Sequence, residues 1–153
     1  MADAVTTALK AGDGDALAAA LARKKKPELL KPIAQKVDTS RWDTKYGKAL
    51  LGAADLILAH EIDHVRDFLP CLAIAAARAA HGNPAEKARA EVVLAKLRPF
   101  VEKDAWTADL VARSGCHYVR AHSMPEPAKT LRELVRGHRG IENNPYFVEL
   151  VKL

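Results

Sequence analysis

The sequence predicts an all-α fold, and its composition and its helix-breaking residues both lead to that prediction. The chain of 153 residues contains 29 alanines, whereas aromatic residues make up only 5% of it. Alanine has the highest helix propensity of all residues, while β-branched and aromatic residues favour strands. Glycine, proline and capping residues divide the chain into short segments. We therefore expect a single domain spanning 1–153, built from eight or nine short helices arranged as helical hairpins.

The expected helices follow from the positions of these caps and breaks. They cover 3–10, 15–23, 27–37, 44–68, 71–80, 84–97, 105–113, 125–136 and a last segment that starts at Pro145.

Capping residues predict where several of these helices begin. Asp15 is the expected N-cap of the second helix, Asp104 that of 105–113, and Asn144 that of the last helix. Asn83 followed by Pro84 is typical of a helix start, and Gly82 just before it is typical of a helix end.

Prolines and glycines predict where helices bend or end. Pro32 should kink the third helix, Pro70 should end the long fourth helix, and Pro99 should interrupt the helix that starts at Pro84. The pair at 114–115, Ser-Gly, should end the helix that starts at Ala105. The following segment, 116–124, is ambiguous, and a short strand over its first four residues is an open alternative.

The helical pairs joined by short Gly, Asp or Pro turns suggest an architecture. Residues 3–10 and 15–23, joined by Gly12-Asp13-Gly14, are the clearest example. This arrangement resembles HEAT-like repeat proteins, and the resemblance implies a gently curved stack of hairpins. The sequence shows no clean internal period, so an irregular helix bundle is the alternative.

Charge and cysteine content narrow the class of protein. Lys and Arg total 24 against 19 Asp and Glu, which gives a net charge of +5 and favours an acidic protein or nucleic acid as partner. Cys71 and Cys116 form neither a disulfide framework nor a C-x-x-C site, which fits the reducing cytoplasm. The longest uncharged apolar run, 68–77, is too short to span a bilayer, so we expect no membrane association.

One short motif contains the residue types of a metal-dependent active site. Residues 60–64 read HEIDH, and this H-E-x-x-H pattern resembles the metal helix of zincin hydrolases. The resemblance implies that His60 and His64 bind one zinc ion and that Glu61 acts as general base. A third ligand would be needed, and the candidates are His81, Glu86, Glu91, Cys116 and His117.

A second feature is the concentration of basic residues between 113 and 139. The candidate binding residues are Arg113, Arg120, Lys129, Arg132, Arg136 and Arg139. The last three recur at i, i+4 and i+7, so they should form a stripe on one helix face. Such a stripe either binds phosphates or an acidic partner or is an ordinary solvated face, and both interpretations stay open. Trp106 and Leu110, four residues apart, should form a pair at the edge of the core.

These observations favour a non-enzymatic helical module that binds an acidic protein or nucleic acid through a basic C-terminal face. The alternative is a zinc-dependent hydrolase that uses the HEIDH motif. No cofactor is expected for the module, whereas the alternative requires zinc.

Overall fold

The computed structural model describes residues 4–23, 44–123 and 125–153, and these ranges contain helices and turns but no strand. The all-α prediction is therefore confirmed for the described residues, while the helix predicted at 27–37 lies outside them. Short 3₁₀ turns occur at Arg66–Phe68 and Ile141–Asn143. The α-helices are α1 (Ala4–Ala11), α2 (Gly14–Ala22), α3 (Thr44–Gly52), α4 (Ala54–Ile57), α5 (Ile62–Val65), α6 (Leu69–Ala79), α7 (Pro84–Lys103), α8 (Ala105–His122), α9 (Pro125–Val135) and α10 (Pro145–Lys152).

Three of the predicted N-caps are confirmed by hydrogen bonds. The Asn83 side chain accepts from the backbone N–H of Glu86 at 2.9 Å, which starts α7. Asp104 starts α8 by accepting from the Thr107 N–H at 3.0 Å. Asn144 starts α10 in the same way.

The N-cap of α2 was predicted two residues too late. Asp13, not Asp15, accepts from the Ala16 N–H at 3.0 Å, and Asp15 lies inside the first turn. The reason is Gly12, whose φ of +71° ends α1 and leaves Asp13 as the only residue between that turn and α2.

The long helix predicted over 44–68 is wrong, because tertiary contacts divide it. α3 ends at Gly52, where a Cβ atom would lie only 2.6 Å from the Cα of Gly14, so the backbones of α2 and α3 are in direct contact. The Arg89 side chain from α7 donates two hydrogen bonds, of 2.7 and 3.2 Å, to the backbone oxygen of Leu51. The Arg89 side chain thus satisfies a backbone carbonyl at a helix end that was not predicted.

Two predicted breaks did not occur. α7 continues through Pro99, which is exposed on its solvent side, and α8 continues through Gly115. Gly115 is buried, and a Cβ there would lie only 2.9 Å from the Leu131 side chain, so this glycine serves helix packing rather than termination. Residues 116–122 are consequently helical, so the strand alternative is wrong. α8 ends at His122, and Ser123 follows it with a left-handed φ of 51°.

Helix α6 lies at the centre of the core. Ten of its eleven residues are buried, and it contacts α3, α7, α8 and α9. Five of the buried residues are alanines, at 73, 75–77 and 79, whose small side chains allow neighbouring helices to approach closely. In the described part of the chain, no helix combines the length and the apolar character needed to cross a membrane.

We expect Ala76→Leu to destabilise the protein by about 1–3 kcal/mol, because three added carbons have no space between α6 and its neighbours. Urea unfolding followed by circular dichroism measures this change. Ala88→Leu, at an exposed position of α7, is the matched control and should change stability by less than about 0.5 kcal/mol. Equal stabilities of the two variants would show that α6 is not tightly packed.

Candidate functional site

The HEIDH motif does not lie on one helix. His60 is in a bend, Glu61 is the residue before α5, and only Ile62–Val65 form the single helical turn. The two histidines are therefore not presented on the face of one continuous helix, which was the geometric premise of the zinc hypothesis. Within the described ranges, no group of three His, Cys, Asp or Glu side chains is arranged to hold a metal ion.

Cys116, one of the candidate third ligands, is also poorly suited to metal binding. Its side chain is fully buried in α8. Burial raises the pKa of the Cys116 thiol, although the positive charge of Arg120 acts in the opposite direction. Zinc binds the thiolate form, so this environment disfavours Cys116 as a ligand.

Two of the six predicted binding residues have structural partners. Arg120 forms an ion pair with Glu149, which joins α8 to α10. Arg132 donates hydrogen bonds of 3.2 Å to the backbone oxygens of Leu150 and Val151, which satisfies carbonyl groups at the end of α10.

The predicted stripe of three arginines is also wrong in its geometry. α9 ends at Val135, so Arg136 follows the helix and Arg139 lies in the turn beyond it. Arg113 is half-buried on α8, whereas Lys129, Arg136 and Arg139 are exposed.

The turn after α9 packs against the end of α7. The Nδ1 atom of His138 lies 3.1 Å from the Val101 oxygen and 3.2 Å from the Glu102 oxygen. Because carbonyl oxygens only accept, Nδ1 carries the proton and donates to the end of α7. Gly137 lies against the Glu102 side chain, where an added Cβ would be 3.1 Å from Cγ.

This packing places two chain segments that carry exposed cations beside each other, and the exposed Glu102 lies where they touch. The cations are Arg98 and Lys103 in the last turns of α7 and Arg136 and Arg139 in the turn after α9. We call these four residues the basic corner. No ion pair involves any of them among the residues that the structure describes. Arg98 and Lys103 were not predicted from the sequence, because they are some 30–40 positions away in the chain from Arg136 and Arg139.

Trp106 lies close to the basic corner, three residues after Lys103. It is 62% exposed, so the prediction that it pairs with Leu110 at the core edge is wrong. The Arg66 guanidinium lies over its ring, 4.8 Å from the centroid. Such cation–π contacts restrict the orientation of an exposed indole.

Arg66 is itself fixed by carboxylates. Its Nε atom lies 3.1 Å from Asp104 Oδ2, and its Nη2 atom lies 3.3 Å from Asp63 Oδ1. Asp104 Oδ2 also accepts from the hydroxyl of Thr107 at 2.5 Å. Burial raises the pKa of Asp104, but the hydrogen bonds from Thr107 and the charge of Arg66 outweigh burial and bring this pKa below its ordinary value. Asp104, the N-cap of α8, therefore also holds Arg66 in place over the Trp106 ring.

The described residues also form an open groove of about 1080 Å³ between α2, α3 and the turn from α6 to α7. Its two arginines are already bonded, Arg89 to Leu51 and Arg78 to the Tyr118 hydroxyl at 3.0 Å. Its charged lining residues are three acids and three bases, namely Asp13, Asp15, Glu86, Lys48, Arg78 and Arg89. This balance gives the groove no preference for one sign of ligand charge.

Comparison with known proteins adds no assignment. No protein family, no curated protein and no solved structure gives a significant match to this chain.

We expect Asp104→Ala to lower the free energy of unfolding by about 1–2 kcal/mol at pH 7, because it removes both the N-cap of α8 and a partner of Arg66. Asp104→Asn should lower the free energy of unfolding by a smaller amount, since asparagine also caps helices. Denaturant unfolding of both variants measures the two losses.

The part of this loss of unfolding free energy that comes from the charge of Asp104 should depend on pH. Since the pKa of Asp104 is lowered on folding, its ionised form stabilises the protein above its ordinary pKa, and this contribution is lost as the pH falls through the lowered value. The stability gap between the wild type and Asp104→Asn should therefore narrow between pH 7 and about pH 2.5. A gap that widens in acid would contradict the assignment.

Proposed function

We propose that this protein is a non-enzymatic interaction module that binds an acidic partner, either an acidic protein or a nucleic acid, through the basic corner. The observation that carries the proposal is that four exposed cations, Arg98, Lys103, Arg136 and Arg139, lie on two chain segments in direct contact and form no ion pair among the described residues.

Helix stabilisation accounts for only part of this cluster. Lys103 and Arg136 lie at the ends of α7 and α9, where positive charge interacts favourably with the helix dipole. Arg98 is more than a turn from the end of α7, and Arg139 lies beyond α9 altogether. These two cations add charge that the helix ends do not require, and a partner with several phosphates or carboxylates would neutralise it.

The scaffold fits the HEAT-like arrangement that we propose for it. α1 packs on α2, α6 on α7, and α8 on α9, so neighbours in sequence are also neighbours in space. Both cysteines are buried, and neither forms a disulfide. Cysteines outside disulfides are compatible with the reducing cytoplasm, which is the compartment we propose.

The zinc-hydrolase alternative gains no support of this kind. His60 and Glu61 lie outside the helical turn that contains His64, and burial disfavours the Cys116 thiolate. We therefore retain the binding module as the single proposed function.

The proposal is tested by reversing charge at the basic corner. We expect Arg136→Glu with Arg139→Glu to weaken binding of a fluorescein-labelled acidic probe by roughly tenfold or more at low salt. The probes are a 20-residue polyglutamate and a 20-nucleotide single-stranded DNA, and the readout is fluorescence anisotropy. Binding by the wild type should also weaken steeply as salt is added.

The matched control is Lys10→Glu with Lys48→Glu, which changes the net charge equally at two exposed sites on α1 and α3. If this control weakens binding as much as the corner variant, the effect comes from net charge and the basic corner is not the binding site. A wild type that binds neither probe at low salt would refute the proposed function.

A further inference from the structure

The basic corner has an apolar neighbour that can distinguish between classes of acidic partner. Trp106 is the most exposed of the large hydrophobic side chains in the described residues, with 62% of its surface accessible. Tryptophan next to arginine is the composition typical of binding hot spots, and a rigid aromatic side chain loses little conformational entropy on binding.

The contacts of the turn after α9 place Trp106 and the basic corner at the same end of the molecule. His138 bonds to the last carbonyls of α7, and the Asn144 side chain donates to Asp109 of α8 at 2.7 Å. The turn that carries Arg136 and Arg139 thus touches the end of α7 through His138, and the segment that follows it reaches the first turns of α8, which contain Trp106, through Asn144.

The charges around Trp106 differ from those of the basic corner. Asp63 and Asp104 contact Arg66, which lies over the ring, and Asp109 lies one turn further along α8. Exposed Glu61 and half-buried Asp67 belong to the same segment as Asp63. A nucleic acid that stacked a base on Trp106 would bring its phosphates towards these carboxylates, and like charges repel.

A peptide avoids this repulsion because its charges and its apolar groups are on separate side chains. It can place carboxylates on the basic corner and a neutral apolar side chain against Trp106. On the basis of the proposed function, we propose that the partner is a protein segment in which acidic residues flank an apolar anchor, and that Trp106 receives this anchor.

Two labelled peptides and one DNA test this assignment. One 12-residue peptide contains six glutamates and two leucines, the second has serine in place of each leucine, and the DNA carries a comparable charge. We expect the leucine peptide to bind the wild type roughly fivefold or more tightly than the serine peptide, because leucine buries apolar surface on Trp106.

Trp106→Ala should remove most of this advantage and leave the affinity for the serine peptide almost unchanged. Trp106→Phe, which keeps an aromatic ring, should retain part of it. Val92→Ala is the matched control, since Val92 is 47% exposed on α7, and it should leave the advantage intact. Circular dichroism verifies that each variant is folded.

The outcomes separate the two proposals. If the serine peptide binds but leucine adds no affinity, or if Trp106→Ala selectively weakens the binding of DNA, the acidic-apolar partner is refuted while the basic corner remains a binding site. If neither peptide nor DNA binds, both proposals fail. An advantage of leucine that persists in Trp106→Ala would locate the anchor elsewhere and refute the role of Trp106.

Discussion

The burial of helix α6 is the constraint on which the rest of the fold depends. Ten of its eleven residues are buried, and the helices packed around it are α3, α7, α8 and α9. The small side chains of the alanines on α6 allow helix backbones to approach closely. Such close packing tolerates little change in side-chain volume. The exposed ends of α7, α8 and α9 are thereby fixed relative to each other, and the candidate binding surface is made of these ends.

The same fold divides the basic residues into two groups. Arg89, Arg132 and His138 donate hydrogen bonds to backbone carbonyls near the ends of α3, α10 and α7, and they join elements far apart in sequence. Side chains bonded in this way stabilise helix ends and are not available to a partner. The exposed cations at the end of α7 and after α9 form the basic corner. The net charge of +5 does not show this location, because it sums the paired and the unpaired charges of the whole chain.

Features encoded by a few adjacent residues could be predicted from the sequence. The caps at Asn83, Asp104 and Asn144 depend on one side chain and an N–H two or three residues later, and each was found where expected. The errors arose where distant residues decide the outcome. Gly115 is a packing position against Leu131 rather than a helix end, and the segment 58–61 breaks a helix that local periodicity predicts to continue.

The candidate site was predictable only in part for the same reason. Arg136 and Arg139 were identified from local charge density, but the ion pair of Arg120 with Glu149 spans 29 residues and no sequence pattern indicates it. The exposure of Trp106 was missed because its spacing from Leu110 is equally typical of a core edge.

An NMR titration tests the location of the binding surface most directly. Polyglutamate added to ¹⁵N-labelled protein at low salt should shift the backbone amide signals of residues 98–106 and 136–144, and the shifts should saturate and be reversed by salt. Shifts confined to the groove residues 12–15, 48–52 and 82–89, or the absence of saturable shifts, would contradict the assignment of the basic corner as the binding site.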